Sequence, residues 1–76
     1  MRELVLHLVR SLVDDPESVS VEEVRQGDRV VYEVTVAPED TGKVIGRQGR
    51  VINALRLLVK AAGLKTGARP HVEIGP

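Results

Sequence analysis

The sequence predicts a two-layer α+β fold in which three helices cover one face of a three-stranded mixed sheet. Two observations lead to this prediction. Apolar residues recur at helical spacing in the segments 4–13 and 50–62, and they alternate with polar residues between them, in the segment 30–36. The chain has 76 residues, the length of one small domain, so residues 1–76 are assigned to a single unit.

The first predicted element is an amphipathic helix over residues 4–13. It ends at Asp14-Asp15-Pro16, because the residue before a proline is pushed out of the helical region. His7 and Arg10 interrupt the apolar run and no small-residue cleavage site follows, so we do not interpret this helix as a secretory signal. No apolar run is long enough to span a bilayer, and we expect a cytoplasmic location.

Two strands joined by a turn are predicted next. Val19, Val21 and Val24 mark a short strand in which the broken alternation indicates a bulge. The second strand, residues 30–36, alternates cleanly between two faces, and Gln26-Gly27-Asp28 has the composition of the connecting turn. The two strands are therefore expected to form an antiparallel hairpin.

The second half of the chain predicts two helices and a last strand. Pro38-Glu39-Asp40-Thr41 has the composition of a helix start, and a short helix is expected from there to about Ile45. A longer helix follows over residues 50–62, with Gly63 as its C-terminal cap. The last strand is His71-Val72-Glu73-Ile74, and the connection through two helices is long enough to place it parallel and adjacent to the second strand.

The charges are distributed unequally along the chain, although the formal net charge is zero. Residues 1–38 carry four Lys/Arg against eight Asp/Glu, whereas residues 39–76 carry seven against three. A basic half that also contains a glycine turn makes a polyanion the first partner to consider. An ordinary solvated surface of mixed charge is the alternative.

Between the two C-terminal helices, Gly46 and Gly49 are separated by two residues. Glycines at this spacing leave the backbone accessible and free to adopt angles that are closed to other residues. The N-terminus of the following helix adds unpaired N–H groups and the positive end of a dipole, so the turn can bind an anion. A plain interhelical turn would also use the glycines, but it would not need Lys43, Arg47 and Arg50 around it.

Other phosphate motifs and catalytic arrangements do not fit this sequence. The P-loop requires four residues between its glycines, and the dinucleotide fingerprint requires a strand that leads directly into them. We find no nucleophile with an adjacent base and no paired inward carboxylates. The chain has no cysteine and two histidines, too few for a metal cluster. We therefore predict no enzymatic activity, no cofactor and no metal site.

At these residues the sequence resembles the KH domain. The segment Val44-Ile45-Gly46-Arg47-Gln48-Gly49-Arg50-Val51-Ile52-Asn53-Ala54-Leu55 carries the KH pattern of an apolar pair, Gly-X-X-Gly, and apolar residues three and six positions beyond the second glycine. The α-β-β-α-α-β order is similar to the bacterial, type II arrangement. Nearly the whole chain resembles the small single-domain proteins of the bacterial KhpA family, including the Ala-Pro-Glu-Asp-Thr-Gly-Lys run at 37–43 and the final His-Val-Glu-Ile.

The resemblance implies which residues contact RNA. In KH domains the Gly-X-X-Gly loop holds the backbone of about four unpaired nucleotides, and the bases lie in an apolar groove. The loop and its neighbouring cations would thus face the sugar-phosphate backbone, the apolar residues would form the floor of the groove, and the last strand would form its wall. The residues implied are Lys43, Val44, Ile45, Gly46, Arg47, Gln48, Gly49, Arg50, Ile52 and Glu73.

Several neighbouring residues are interpreted as structural. Leu55 is assigned to the core, and for Ile45 a core role stays open. Arg56 and Lys60, further along the helix, are interpreted as solvated charges. Tyr32 is the sole aromatic residue and is expected to be buried, so recognition by aromatic stacking is not predicted.

The resemblance implies a non-catalytic protein that binds single-stranded RNA. It further implies an RNA chaperone or post-transcriptional regulator with effects on cell shape, cell wall organisation and division, which forms a homodimer or a complex with a larger KH-domain protein. One groove without aromatic stacking is expected to bind weakly and in a salt-dependent way, which favours the use of a second copy or a partner. The alternative hypothesis is a protein-interaction or assembly module in which the Gly-X-X-Gly turn is vestigial.

Overall fold

The computed structural model describes residues 1–75 and contains the predicted α-β-β-α-α-β order. Three helices pack on one face of a three-stranded sheet, as expected for a KH type II domain. Short 3₁₀ turns precede β1, α2 and α3, at Pro16–Ser18, Pro38–Asp40 and Arg47–Gly49. The helices are α1 (Arg2–Arg10), α2 (Thr41–Ile45) and α3 (Arg50–Leu64), and the strands are β1 (Ser20–Gln26), β2 (Arg29–Thr35) and β3 (Arg69–Ile74).

The sheet has the strand order β1-β2-β3, with β2 in the centre. β1 and β2 form the predicted antiparallel hairpin, in which Gly27 has a φ of +67° at the turn. β2 and β3 are parallel neighbours, so the predicted placement of the last strand is confirmed. The outer edge of β1 is covered by Arg2, whose Nε donates a hydrogen bond to the Val21 carbonyl over 2.9 Å.

The predicted bulge in β1 is wrong, because the β1–β2 register runs without interruption along the whole strand. Val21 pairs with Val34 on the face that the helices cover, and both belong to the hydrophobic core. Val24 pairs with Val31 on the opposite, open face of the sheet. The broken alternation therefore reflects an apolar cross-strand pair on the open face.

The core lies between the helices and the sheet, and every helix and strand contributes to it. Leu55 lies in this core, as predicted. Tyr32 is also buried as predicted; burial, together with the nearby Glu23 carboxylate, raises the pKa of its hydroxyl. The largest fully buried apolar side chains are Val5, Val9, Val34, Val44, Val59 and Val72.

α1 ends at Arg10, before the predicted stop at Asp14. The N–H and the hydroxyl of Ser11 both donate to the His7 carbonyl, over 3.1 and 2.8 Å. The next N–H, of Leu12, bonds to the Val9 carbonyl over 3.0 Å, so the last turn tightens to 3₁₀ geometry. These hydrogen bonds therefore end α1 before Pro16 can affect its backbone conformation.

Gly63 is not the C-terminal cap that the sequence predicted, because α3 continues to Leu64. Gly63 is buried in the last turn, where a Cβ atom would lie 2.7 Å from Cδ of Pro70. Its role is to let α3 approach β3 closely. Within residues 1–75, no helix has both the length and the apolar character needed to cross a membrane.

Candidate nucleic-acid interface

The loop between α2 and α3 turns through three residues with positive φ. Gly46 has φ +76° and ψ 171°, Gln48 has φ +58°, and Gly49 has φ +75°. Gln48 is the one non-glycine residue with positive φ in the part of the chain that the structure describes. The Gly49 N–H closes the turn by donating to the Gly46 carbonyl over 3.1 Å.

The two glycines are required for different reasons. At Gly46, a Cβ atom would lie 2.8 Å from the Val51 backbone nitrogen and closer still to the Val51 side chain, so space as well as backbone conformation excludes other residues. At Gly49, the nearest atom to an added Cβ is Nδ2 of Asn53, at 3.7 Å. Only the left-handed backbone therefore favours glycine at Gly49.

Positive charge gathers at the start of α3. No Asp or Glu occurs between Thr41 and Val72. Arg47 and Arg50 are exposed, and no carboxylate of residues 1–75 lies within ion-pair distance of either. The N-terminus of α3 also has no side-chain cap; a backbone N–H at this end bonds to the Arg47 carbonyl, and the positive end of the helix dipole lies at the loop.

Lys43 is placed differently from these arginines. Its ammonium contacts Oδ2 of Asp14 and lies 3.5 Å from Oδ1 of Asp40. The hydrogen bond to Asp14 is the main reason that the pKa of Lys43 is raised, with Asp40 adding to it against the effect of desolvation. The predicted phosphate contact of Lys43 would therefore require exchange of these ion pairs.

Asp40 connects α2 to the segment between α1 and β1. Its carboxylate is 1% exposed and accepts the Asp15 N–H at Oδ2 over 3.0 Å, while Oδ1 makes no hydrogen bond. Burial alone would raise its pKa, but the N–H donors of Asp15 and Asp14 and the charge of Lys43 outweigh burial, and the pKa is lowered. The sequence indicated Asp40 only as part of a helix start.

The three apolar residues predicted as the floor of the groove differ in exposure. Ile45 is 37% exposed, Ile52 is 6% exposed, and Val44 is 0% exposed. The assignment of Val44 is corrected, because a side chain without accessible surface belongs to the core and cannot contact a ligand in this conformation. Ile45 offers the most apolar surface beside the loop.

The strand side of the groove is the free edge of β3. The Gly75 N–H donates to the Val34 carbonyl over 2.8 Å, which directs the peptide groups of Glu73 and Gly75 toward β2 and those of Val72 and Ile74 outward. The Glu73 side chain lies on the open face, where its Oε1 is 3.3 Å from Nε2 of His71. The structure therefore does not bring the Glu73 carboxylate together with the loop.

Arg56 links α3 to this edge, because its Nε donates to the Val72 carbonyl over 3.1 Å. Its interpretation as a merely solvated charge is therefore corrected. Asn53 and Lys60 lie three residues before and four residues after it, a spacing that places all three on one side of α3. We call Asn53, Arg56 and Lys60 the polar side of α3.

The side of α3 toward α1 is apolar. Val51, Ala54 and Leu58 share it, and we call them the apolar side of α3. Leu58 is 57% exposed, although its spacing fits the helical stripe of core residues. Together with α1 these residues line a cleft of about 200 Å³, whose walls are Leu8, Ser11, Leu12, Val51, Ala54, Leu55 and Leu58.

Comparisons with known proteins agree with this geometry. Residues 2–74 match the family model described as KhpA/KhpB, KH domain. The RNA-binding protein KhpA of Caldanaerobacter subterraneus subsp. tengcongensis is 51% identical over 97% of this chain and 99% of its own length. The RNA-binding protein KhpA of Chlamydia trachomatis is 39% identical, with 97% and 95% covered.

A solved structure, an Aquifex aeolicus Era variant bound to GDP.AlF4-, shares the fold with a TM-score of 0.65. The similarity covers 95% of this chain and 28% of the Era chain, at 18% sequence identity. At that identity the likeness concerns the fold alone.

Proposed function

This chain belongs to the KhpA/KhpB KH-domain family, and from that premise we propose that it binds single-stranded RNA at the Gly46–Gly49 loop and the groove between α3 and β3. The observation that carries the proposal is the start of α3. An uncapped helix N-terminus follows two positive-φ glycines, with Arg47 and Arg50 free of carboxylates within residues 1–75. Such a loop can hold a sugar-phosphate backbone by N–H groups and charge.

On the phosphate side, we assign Gly46, Arg47, Gln48 and Gly49 to the backbone of the RNA, and Arg50 to a flanking phosphate. Lys43 is a weaker candidate, since its ammonium is already paired with Asp14 and Asp40. The pair with Asp14 is exposed, where such pairs contribute little to stability, so a phosphate can compete with Asp14 for Lys43. The buried Asp40 carboxylate would keep its contact with Lys43, because leaving that charge unpaired is costly.

On the base side, Ile45 supplies exposed apolar surface and Ile52 adds its small exposed part beneath it. The opposite wall is the outer edge of β3, where the outward Val72 N–H and the outward peptide group of Ile74 can hydrogen-bond base edges, while the Val72 carbonyl already accepts from Arg56. Glu73 would contribute to RNA binding through its place in this strand rather than through its carboxylate. The groove contains no aromatic residue, which is consistent with weak binding by a single copy.

We also propose that the protein acts as a homodimer or together with a larger KH-domain protein. The support is the exposed cleft between α1 and α3, where Leu12 and Leu58 leave apolar surface open to solvent. A second copy would add a second groove and so raise the affinity for one RNA strand. The family resemblance extends the proposal to a cytoplasmic RNA chaperone or post-transcriptional regulator that affects cell shape, cell wall organisation and division.

A second candidate function is a protein-interaction or assembly module in which the loop no longer binds RNA. The same apolar cleft favours it, because association through α1 and α3 does not involve the glycines. It predicts a tight dimer that does not retain RNA as salt is varied.

The deciding experiment replaces Arg47 and Gln48 together by aspartate and measures binding to an unstructured eight-nucleotide RNA by fluorescence anisotropy. We expect affinity to fall at least tenfold, and the slope of log affinity against log salt to become shallower by about 0.7 for each phosphate that the variant no longer neutralises. The matched control is the same exchange at Arg25 and Gln26, an exposed Arg-Gln pair in β1 next to the hairpin turn. Unchanged affinity in the Arg47/Gln48 variant would contradict the proposed site.

A further inference from the structure

We infer that Arg56 is a specificity-determining residue that selects a base offering two adjacent hydrogen-bond acceptors. The inference rests on the proposed function, because it assigns one base-reading group within the groove between α3 and β3. Arg56 would contact a base of the RNA, whereas the Gly46–Gly49 loop and Arg50 would contact the sugar-phosphate backbone.

The guanidinium of Arg56 is held in one orientation by the protein. Its Nε donates to the Val72 carbonyl over 3.1 Å in a partly buried bond, although the residue as a whole is exposed. The bonded carbonyl lies on the free edge of β3, beside the outward peptide group of Ile74. One of the five N–H donors of the guanidinium is thus used. The planar group, whose two Nη atoms form a fork of parallel donors, is held between α3 and β3.

The remaining donors of Arg56 have no acidic competitor. No carboxylate of residues 1–75 lies within ion-pair distance of Arg56. α3 itself contains no Asp or Glu over its 15 residues. Glu73, the nearest acidic residue in sequence on the C-terminal side, lies on the open face of the sheet with His71. The two Nη groups are therefore available to a ligand.

The position of Arg56 relative to the loop suits a base rather than a phosphate. Arg56 follows Gly49 by seven residues, which is about 10 Å along the helix axis. Asn53 lies between them on the same side, with Nδ2 3.7 Å from where a Cβ of Gly49 would be. A strand whose phosphates rest on the loop would direct its bases toward the edge of β3, where the guanidinium lies.

The chemistry of the fork defines the preferred base. Two parallel N–H donors match guanine through O6 and N7, or cytosine through N3 and O2. Adenine presents N7 beside an N6 donor, and uracil places a donor at N3 between its carbonyls, so neither offers the same pair of acceptors. We therefore expect a preference for guanine or cytosine at one position of the bound RNA.

The test uses the whole protein and four labelled eight-nucleotide RNAs: oligo(U), and oligo(U) with a single G, C or A at the fourth position. We expect the RNA with G or the RNA with C to bind about tenfold more tightly than oligo(U) and the RNA with A. In Arg56→Lys, which keeps the charge but loses the fork, this preference should disappear while affinity for oligo(U) changes by less than about twofold.

The matched control is Lys60→Gln, on the same side of α3. It should lower the affinity for all four RNAs by a similar factor and keep the preference. Circular dichroism checks that both variants are folded. Three results would overturn the inference: no base preference in the wild type, a preference that persists in Arg56→Lys, or an equal loss for all four RNAs in Arg56→Lys, which would make Arg56 a phosphate contact.

Failure of the proposed function gives a different result. If none of the four RNAs binds in a salt-sensitive way, the RNA-binding site itself is refuted, and the inference about Arg56 falls with it. Salt-sensitive binding without base selection refutes only the inference.

Discussion

The two long sides of α3 show how one helix can serve two surfaces of opposite chemistry. Its polar side faces the edge of β3, where Arg56 bonds to the Val72 carbonyl. Its apolar side faces α1 and leaves Leu58 largely exposed. A cationic side can attract phosphate but gains little from burial, whereas an apolar side can associate but cannot attract an anion. RNA binding and self-association should therefore be separable by single substitutions.

The largest expected effect arises in the loop before α3 and reaches the apolar side of the helix. Gly46→Ala should lower the free energy of unfolding by about 3 kcal/mol, because the backbone region is nearly closed to other residues and the added methyl would overlap Val51 on the apolar side of α3. Gly49→Ala, whose methyl meets no crowding, should cost only about 1 kcal/mol. Urea denaturation measures both values, and equal losses would contradict the difference between the two glycines.

The next effect isolates the apolar side. Leu58→Asp should weaken self-association at least tenfold, since it places a charge in the cleft, while the monomer stays folded because the side chain is 57% exposed. Sedimentation equilibrium measures the dimer, and RNA affinity per protomer should change little. Leu57→Asp is the control: Leu57 is exposed as well but does not line the cleft. A loss of association in both variants would point to a nonspecific charge effect.

A smaller effect isolates the start of the helix. Arg50→Gln should lower RNA affinity about threefold for every RNA sequence and make the salt slope shallower by about 0.7, the change expected for one phosphate contact. Anisotropy titrations at several salt concentrations measure both. The dimer should be unaffected. A change confined to one RNA sequence would mean that Arg50 contacts a base.

The last and smallest expected effect is a change in the pH dependence of stability, and it concerns Asp40, which fixes α2 to the segment before β1. Because the folded state lowers its pKa from the ordinary value of 3.8, the ionised carboxylate stabilises the fold above about pH 4, and this stabilisation is lost as the pH falls through the lowered pKa. The melting temperature of Asp40→Asn should thus vary less with pH below 4 than that of the wild type. Glu39→Gln, at the exposed neighbouring position, should retain the wild-type dependence.

The element order, the parallel placement of β3 and the buried Tyr32 could be predicted because they depend on periodicity and connection length, which the sequence states directly. The exposure of Leu58 could not be predicted, because core residues and apolar surface residues beside them follow the same helical period. Only the packing of the folded chain distinguishes the two. The hydrogen bonds of Arg56 and Asp40 could not be predicted either, although the place of Asp40 at a helix start was. Their partners, the Val72 carbonyl and the Asp15 N–H, are backbone groups distant in sequence that leave no compositional signal.

At each outer edge of the sheet one backbone carbonyl is bonded by an arginine side chain, Val21 by Arg2 and Val72 by Arg56. Uncovered edges of a three-stranded sheet invite strand-by-strand growth into fibrils. If copies associate through the cleft between α1 and α3, as proposed, the high local concentration of sheet edges makes it more important to prevent such growth. On the β3 side the Arg56 guanidinium would both hinder strand addition and bind an RNA base. RNA binding would therefore not remove the hydrogen bond that protects this edge.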